Sequence, residues 1–418
     1  MIRADLLLTG LREAATLAVG PVPRVGEAMG VLGTVPDAAI AIDGGRFAFV
    51  GRSRSAAREV RLRSGGRRID LDGACAVPGF VDPHTHLLFA GDRHTEVARK
   101  IRGASYVEIA RRGGGIYSTV RATRRAPAAS LLSAAEDRLR RMAAWGTTTA
   151  EVKSGYALTH AGELGLLSLV PRLARRTGLR LVPTYLGAHA VPPEHARRPD
   201  AYVSEIVRRT LPEVARRRLA RFVDVFCEPG FFTPAQSARI LAAAERLGLG
   251  RRVHAEEFRR SGGARLAARF GAASADHLLA ATHGDLSRLA ERGVTATLLP
   301  VTPFASLAPA APRGRAFVDA AVPVALGSDL SPNSWVEGMP VVLAHAVYAA
   351  RLTPAEALTA ATVNAAHSLG LAGAAGTIEV GRDADLAVFP VRSVEEIPYR
   401  IGVAPTAVYR QGICVSSR

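Results

Sequence analysis

The sequence predicts an α/β protein: a closed (β/α)₈ TIM-type barrel carrying a small β-sandwich domain built from both chain ends. Three observations predict it. Eight short apolar runs alternate with helical patterns through the middle of the chain, and alternation of this kind implies a parallel sheet. The first 74 residues and the last 46 or so are written instead in strand and turn signals. Ionisable residues collect where the apolar runs end, which is where such a barrel places its active site.

Residues 1–74 contain the strand-like stretches 5–8, 38–42 and 46–51, the last two joined by the hairpin signal Asp43-Gly44-Gly45. No reactive cluster falls there. From residue 75 the apolar runs are 76–81, 147–153, 180–186, 222–227, 251–255, 272–276, 294–300 and 322–327. Between them lie the helical patterns 132–145, 161–177, 234–248 and 338–351. Ser133, Thr233-Pro234 and Thr353-Pro354 are placed to cap helices. Eight strand–helix pairs over this length close a barrel, and no Gly-x-Gly-x-x-Gly follows the first run to hold a dinucleotide in a doubly wound sheet. Beyond residue 372 the stretches 376–381 and 385–389 read as strands that return to the N-terminal ones. The expected division is therefore 1–74, 75–372 and 373–418.

The composition, 48% hydrophobic and 22% charged, is that of a folded globular chain. No apolar run is long enough to span a membrane, and Arg3 and Asp5 interrupt the start, so neither a span nor a secretory signal is expected. Three scattered cysteines, Cys75, Cys227 and Cys414, suit a reducing compartment, so the cytoplasm is the expected location. The net charge of +17 raises the question of nucleic acid. The basic residues, however, are scattered arginines with no interleaved aromatics, and only Lys100 and Lys153 are lysines. A solvated surface explains them, and no nucleic-acid partner is expected.

The chemistry begins at Pro78-Gly79-Phe80-Val81-Asp82-Pro83-His84-Thr85-His86. Alternation along a strand puts His84 and His86 on one face, about 6.5–7 Å apart along it. His189, His254 and His277 also fall at run ends, as do Glu151, Lys153, Glu228, Glu257, Asp276 and Asp329. His84, His86, His254 and Asp329 make a His₃Asp set, the donor type of a catalytic metal site with room for water. Asp329 is then the acceptor for the water's proton, or else a loop carboxylate capping the turn before Pro332. Glu257 and His277 are the candidates for proton delivery to a departing nitrogen, with His277 alternatively orienting a neighbour. Glu256 points to the opposite face and is read as structural. Cys227 sits inside an apolar run as an inert thiol, and no Gly-x-Ser-x-Gly elbow offers a serine nucleophile.

These motifs resemble the amidohydrolase superfamily and, within it, the imidazolonepropionase family. The resemblance is carried by His84-Thr-His86 with Phe89-Ala-Gly-Asp-Arg93, by Gly113-Gly-Gly-Ile116 with Ser118 to Arg124, and by Glu151-Val-Lys-Ser-Gly-Tyr156. It continues through Gly187-Ala-His189, Asp224 to Glu228, His254-Ala-Glu-Glu-Phe258 and Ser274-Ala-Asp-His277. It implies hydrolysis of a small cyclic amide, 4-imidazolone-5-propanoate, with one zinc or iron ion on His84, His86, His254 and Asp329. It further implies that Arg93 grips a propionate and that Tyr156, His189 and Glu257 hold the ring, with Tyr106 contributing. A homodimer is the implied assembly. The departure is Ser331-Pro332-Asn333-Ser334, where the family has Asn-Pro-Gly. Ser331, Asn333 and Ser334 are the expected substrate contacts there, Asn333 standing where a glycine could take positive φ cheaply. That departure keeps a related ring hydrolase, such as a deaminase, as the alternative.

Overall fold

The computed structural model describes residues 1–104, 108–109, 113–308 and 310–417. Tyr106 lies outside the described residues. Eight parallel strands stand side by side in chain order: Phe80–Asp82, Thr147–Lys153, Arg180–Ala188, Phe222–Cys227, Gly250–Ala255, Ser274–His277, Thr295–Leu298 and Val324–Leu326. The first and eighth meet just beyond their ends. There the Asp329 N–H donates to the His84 carbonyl (3.0 Å) and the His86 N–H to the Leu330 carbonyl (2.8 Å). The seam that closes the barrel is thus made by the backbone of the candidate ligands.

Helices cover the barrel by the expected periodicity. In Ala128–Ala144, Leu131, Ala135, Leu139 and Met142 recur at helical spacing and bury against Val152, Leu166, Leu169 and Leu173. This helix begins after Pro127, so Ser133 lies inside it and is no cap. Thr233 and Thr353 do cap, each in a reciprocal box with Gln236 or Glu356.

Both chain ends build one mixed eight-stranded sheet. Its order is Ile413–Ser417, Ala407–Arg410, Leu386–Phe389, Cys75–Pro78, Ile2–Ala15, Thr34–Asp43 and Arg46–Arg52, with Val60–Asp70 also on Ile2–Ala15. The Gly44-Gly45 turn joins its hairpin with both φ positive (54° and 76°), a conformation glycine adopts freely. Two further expectations need correction. The run 76–81 is two strands: Cys75–Pro78 belongs to the mixed sheet and only Phe80–Asp82 to the barrel, with Gly79 between them. Residues 376–381 form no strand. They reach the sheet through single bonds, the Ile378 N–H to the Thr16 carbonyl and the Gly381 N–H to that of Phe47. Among the described residues no helix is long and apolar enough to cross a membrane.

Candidate metal centre and active site

The barrel floor beneath the site is charged. Glu151, Lys153, Asp224, Arg252 and Asp276 are all fully buried. Lys153 Nζ lies 2.7 Å from both Glu151 and Asp224, and Arg252 reaches Glu151 (3.1 Å) and Asp276 (3.5 Å). Burial works against the Lys153 charge, but the carboxylates of Asp224 and Glu151 outweigh it and the ammonium pKa is raised. Lys153 is therefore a paired cation and is held as one.

Two floor carboxylates aim the histidines above them. Asp276 Oδ2 lies 2.7 Å from His84 Nδ1, and Asp224 Oδ2 lies 2.9 Å from His254 Nδ1. A carboxylate on Nδ1 keeps the proton there and leaves Nε2 as the ligating nitrogen. The Nε2 atoms converge: His84 to His86 is 3.2 Å, His254 to His86 is 3.2 Å, and Asp329 Oδ1 stands 3.5 and 3.4 Å from His84 and His86. Burial lowers the pKa of His84, His86 and His277 well below the imidazole norm, so these rings are neutral at pH 7. Lone pairs facing one another at such separations repel unless a cation lies among them. The donor set fits a divalent metal ion. The donor atoms of His84, His86 and Asp329 all fall within 4.8 Å of one another, and so do those of His84, His254 and His277.

Asp329 and His277 both hold positive φ (52° and 74°), unusual for residues with side chains. Thr302 Oγ1 donates to Asp329 Oδ2 at 2.8 Å, while burial lifts the Asp329 pKa to about 6. His277 Nε2 is 3.7 Å from Glu257 Oε2. Burial, with repulsion from Asp329 and Glu228, raises the Glu257 pKa well above the carboxylate norm. Glu228 accepts the backbone N–H groups of Glu257 (3.1 Å) and Arg259 (2.7 Å) and so fixes the turn that carries Glu257. Glu256 turns away and accepts the N–H groups of Gly262 and Ala264.

One cleft gathers His86, Arg93, Tyr156, His189, His254, Glu257, His277, Asp329, Ser331 and Asn333, walled by Ile116, Phe226 and Phe258. His189 stacks on His86 with ring centroids 4.8 Å apart. Its Nδ1 is 3.1 Å from the Gly155 carbonyl, and burial lowers its pKa to about 3, so it donates there and keeps Nε2 as an acceptor. The Tyr156 ring lies 5.2 Å from that of His189. Arg93 is buried, and its Nε and Nη2 both meet Glu96 Oε2 (2.8 and 2.7 Å), whose Oε1 accepts the Gly115 N–H at 2.7 Å. Ser334 is fully buried and stands outside the cleft lining; its N–H donates to Ser331 Oγ at 3.2 Å. Asn333 lines the cleft without positive φ, so the conformational burden expected from losing glycine there does not arise.

Sequence reasoning gave no role to Asp82, Glu96, Asp224 or Arg252, and missed the orienting role of Asp276. Asp82 accepts Ser328 Oγ (2.5 Å) and the Ser328 and His84 N–H groups, tying the first barrel strand to the loop of Asp329. The available signal was a charge inside an apolar run, as in Phe222-Val-Asp-Val-Phe226.

Known proteins share this fold. The solved structure of an adenosine deaminase from Xanthomonas campestris with bound zinc superposes with a TM-score of 0.72 at 20% identity, covering 99% of this chain and 93% of that one. Two relatives named imidazolonepropionase are far closer in sequence. That of Symbiobacterium thermophilum is 46% identical, covering 96% of this chain and 95% of its own. That of Brevibacillus brevis is 43% identical, covering 94% and 93%. The model of the amidohydrolase family matches residues 75–409, a span that takes in every residue of the donor cluster. By that match, and by barrel and donor set together, the chain belongs to the amidohydrolase family.

Proposed function

We propose that the protein hydrolyses the cyclic amide of 4-imidazolone-5-propanoate to N-formimidoyl-L-glutamate, a step of histidine degradation. The observation that carries this is one cleft with a His₃Asp cluster at its floor and a buried arginine, Arg93, in its wall. The near full-length likeness to relatives of that name supports it. His84, His86, His254 and Asp329 would hold one ion, zinc or iron, since imidazole and carboxylate donors suit both. Bound there, such an ion lowers the pKa of water to about 7 and polarises a carbonyl oxygen.

The chain's own groups do the rest. Arg93 meets the propionate with its guanidinium fork. His189 Nε2 and the Tyr156 hydroxyl orient the ring, and Ser331 and Asn333 border it. Water's oxygen bonds to the ring carbonyl carbon, the carbon–nitrogen bond breaks, and the nitrogen takes a proton. Glu257, whose pKa burial and two nearby carboxylates raise well above the carboxylate norm, supplies that proton. Neutral His277, beside it, accepts or relays a proton, and Asp329 is placed to take the one released by water. Three free cysteines suit a reducing compartment, so the cytoplasm is the proposed location; a homodimer is proposed from the family resemblance alone.

The test is to supply purified protein with freshly generated 4-imidazolone-5-propanoate and follow loss of its ultraviolet absorbance, with metal content measured alongside. Chelator-sensitive turnover at about one metal per chain is expected. Ammonia released from an aminated ring, with this substrate left intact, would overturn the reading in favour of a deaminase.

A further inference from the structure

The 331–334 loop borders the cleft, and Asn333 shows what holds it. Asn333 Oδ1 accepts from Lys100 Nζ at 2.8 Å, while Nδ2 donates to Ser306 Oγ at 3.0 Å. The amide is therefore gripped from two sides, with its carbonyl on a cation. Lys100 is one of two lysines in the chain, and the other, Lys153, is sealed in the barrel floor.

Lys100 belongs to the helix His94–Ile101, for which Arg93 is the N-terminal cap residue. The spacing 93, 96, 100 places Arg93, Glu96 and Lys100 on one helical face. Their charges run plus, minus, plus. Arg93 and Glu96 are paired at 2.7 Å and neutralise each other, so the pair alone has little net attraction for an anion. Lys100, half-buried on the next turn and just outside the cleft lining, adds a positive charge beside that pair. It also joins the helix of Arg93 to the loop that follows Asp329.

We propose that Lys100 is a positioning residue for substrate selection: it fixes Asn333 in the cleft wall and adds positive charge beside the Arg93–Glu96 pair, favouring ligands with one carboxylate tail. This rests on the reading of Arg93 as the carboxylate-binding residue. It assigns to Lys100 and Asn333 a single function, which a double-mutant cycle reads directly.

The experiment compares wild type, K100M, K100R, N333A and K100M/N333A on 4-imidazolone-5-propanoate and on the same ring with a neutral propanamide tail. Loss of a hydrogen bond from a charged donor should raise KM for the carboxylate substrate roughly 5- to 20-fold in K100M, with kcat changed less than about twofold. K100R should recover most of the affinity, N333A should resemble K100M, and the double variant should be little worse than either. Preference for the carboxylate over the propanamide tail should shrink in K100M. Melting curves and metal content matching wild type show that the variants are folded. An active wild type whose variants keep KM and tail preference, or whose effects simply add, overturns this proposal alone. A wild type that leaves 4-imidazolone-5-propanoate intact overturns the proposed reaction and this proposal with it.

Discussion

Glu257, the proposed proton donor, holds its proton more tightly than most glutamates do. Burial and two nearby carboxylates raise its pKa, so its proton is retained to higher pH than on an exposed glutamate and is lost as pH climbs through that raised value. Activity should therefore fall on the alkaline side. In Glu257→Gln, kcat should drop about 10²- to 10⁴-fold and this limb should flatten, which a pH–rate profile measures. Roles elsewhere in the cleft separate by measurement too. His254→Ala should lose bound metal and activity together. Arg93→Ala should keep its metal while KM rises by tenfold or more, a charged hydrogen bond being worth about 1.5–3 kcal/mol. Unchanged substrate affinity in Arg93→Ala would remove it from the carboxylate site. The candidate donors stood out in the sequence because ionisable residues gather at the ends of the apolar runs, with two histidines on one strand face. Their supports were not. Glu96 and Asp276 act through side chains brought together only by folding, Glu96 reaching 19 residues along to Gly115 and Asp276 reaching 192 residues back to His84.

At the level of the element, Gly79 marks where the chain steps from mixed sheet to barrel, and we propose it as the boundary in place of residue 75. A Cβ at Gly79 would stand 2.3 Å from Thr148 side-chain atoms, so no room exists for one without displacement. Gly79→Ala should cost about 1–3 kcal/mol by overpacking, seen as a lower urea midpoint with unchanged slope. Thr233→Ala, by contrast, should cost about 1 kcal/mol through loss of the capping box alone. The apolar pattern concealed the step because both strands are buried on both faces and neither alternates. Pro78-Gly79 was its trace. The stretch 376–381 misled in the opposite sense: Thr377, Glu379 and the apolar residues between them alternate like a strand, yet they find only isolated backbone partners. Pattern records which residues can lie in a sheet, and pairing requires an open edge beside them.

For the molecule as a whole, the three cysteines report on packing. Cys75 and Cys227 are buried, and burial pushes their thiols up to about 12 and about 11, while Cys414 is exposed. A thiol reagent at neutral pH should find one fast-reacting group in the native protein and three after unfolding. Two fast groups would mean that the mixed sheet or the fourth barrel strand opens readily. The barrel was legible throughout because eight apolar runs in alternation with helices allow few other topologies. The sheet that joins the chain ends was legible only in outline, since partners more than 300 residues apart leave no mark of register.

That sheet has a consequence for how the protein is made. Cys75–Pro78 is buried on every residue, yet its partner Leu386–Phe389 is synthesised more than 300 residues later. Until then the nascent protein carries an uncovered apolar edge, open to strands of neighbouring chains. A premature stop between Asp329 and Leu386 would leave that edge exposed for good. The product should carry every donor of the metal site and still be lost to aggregation.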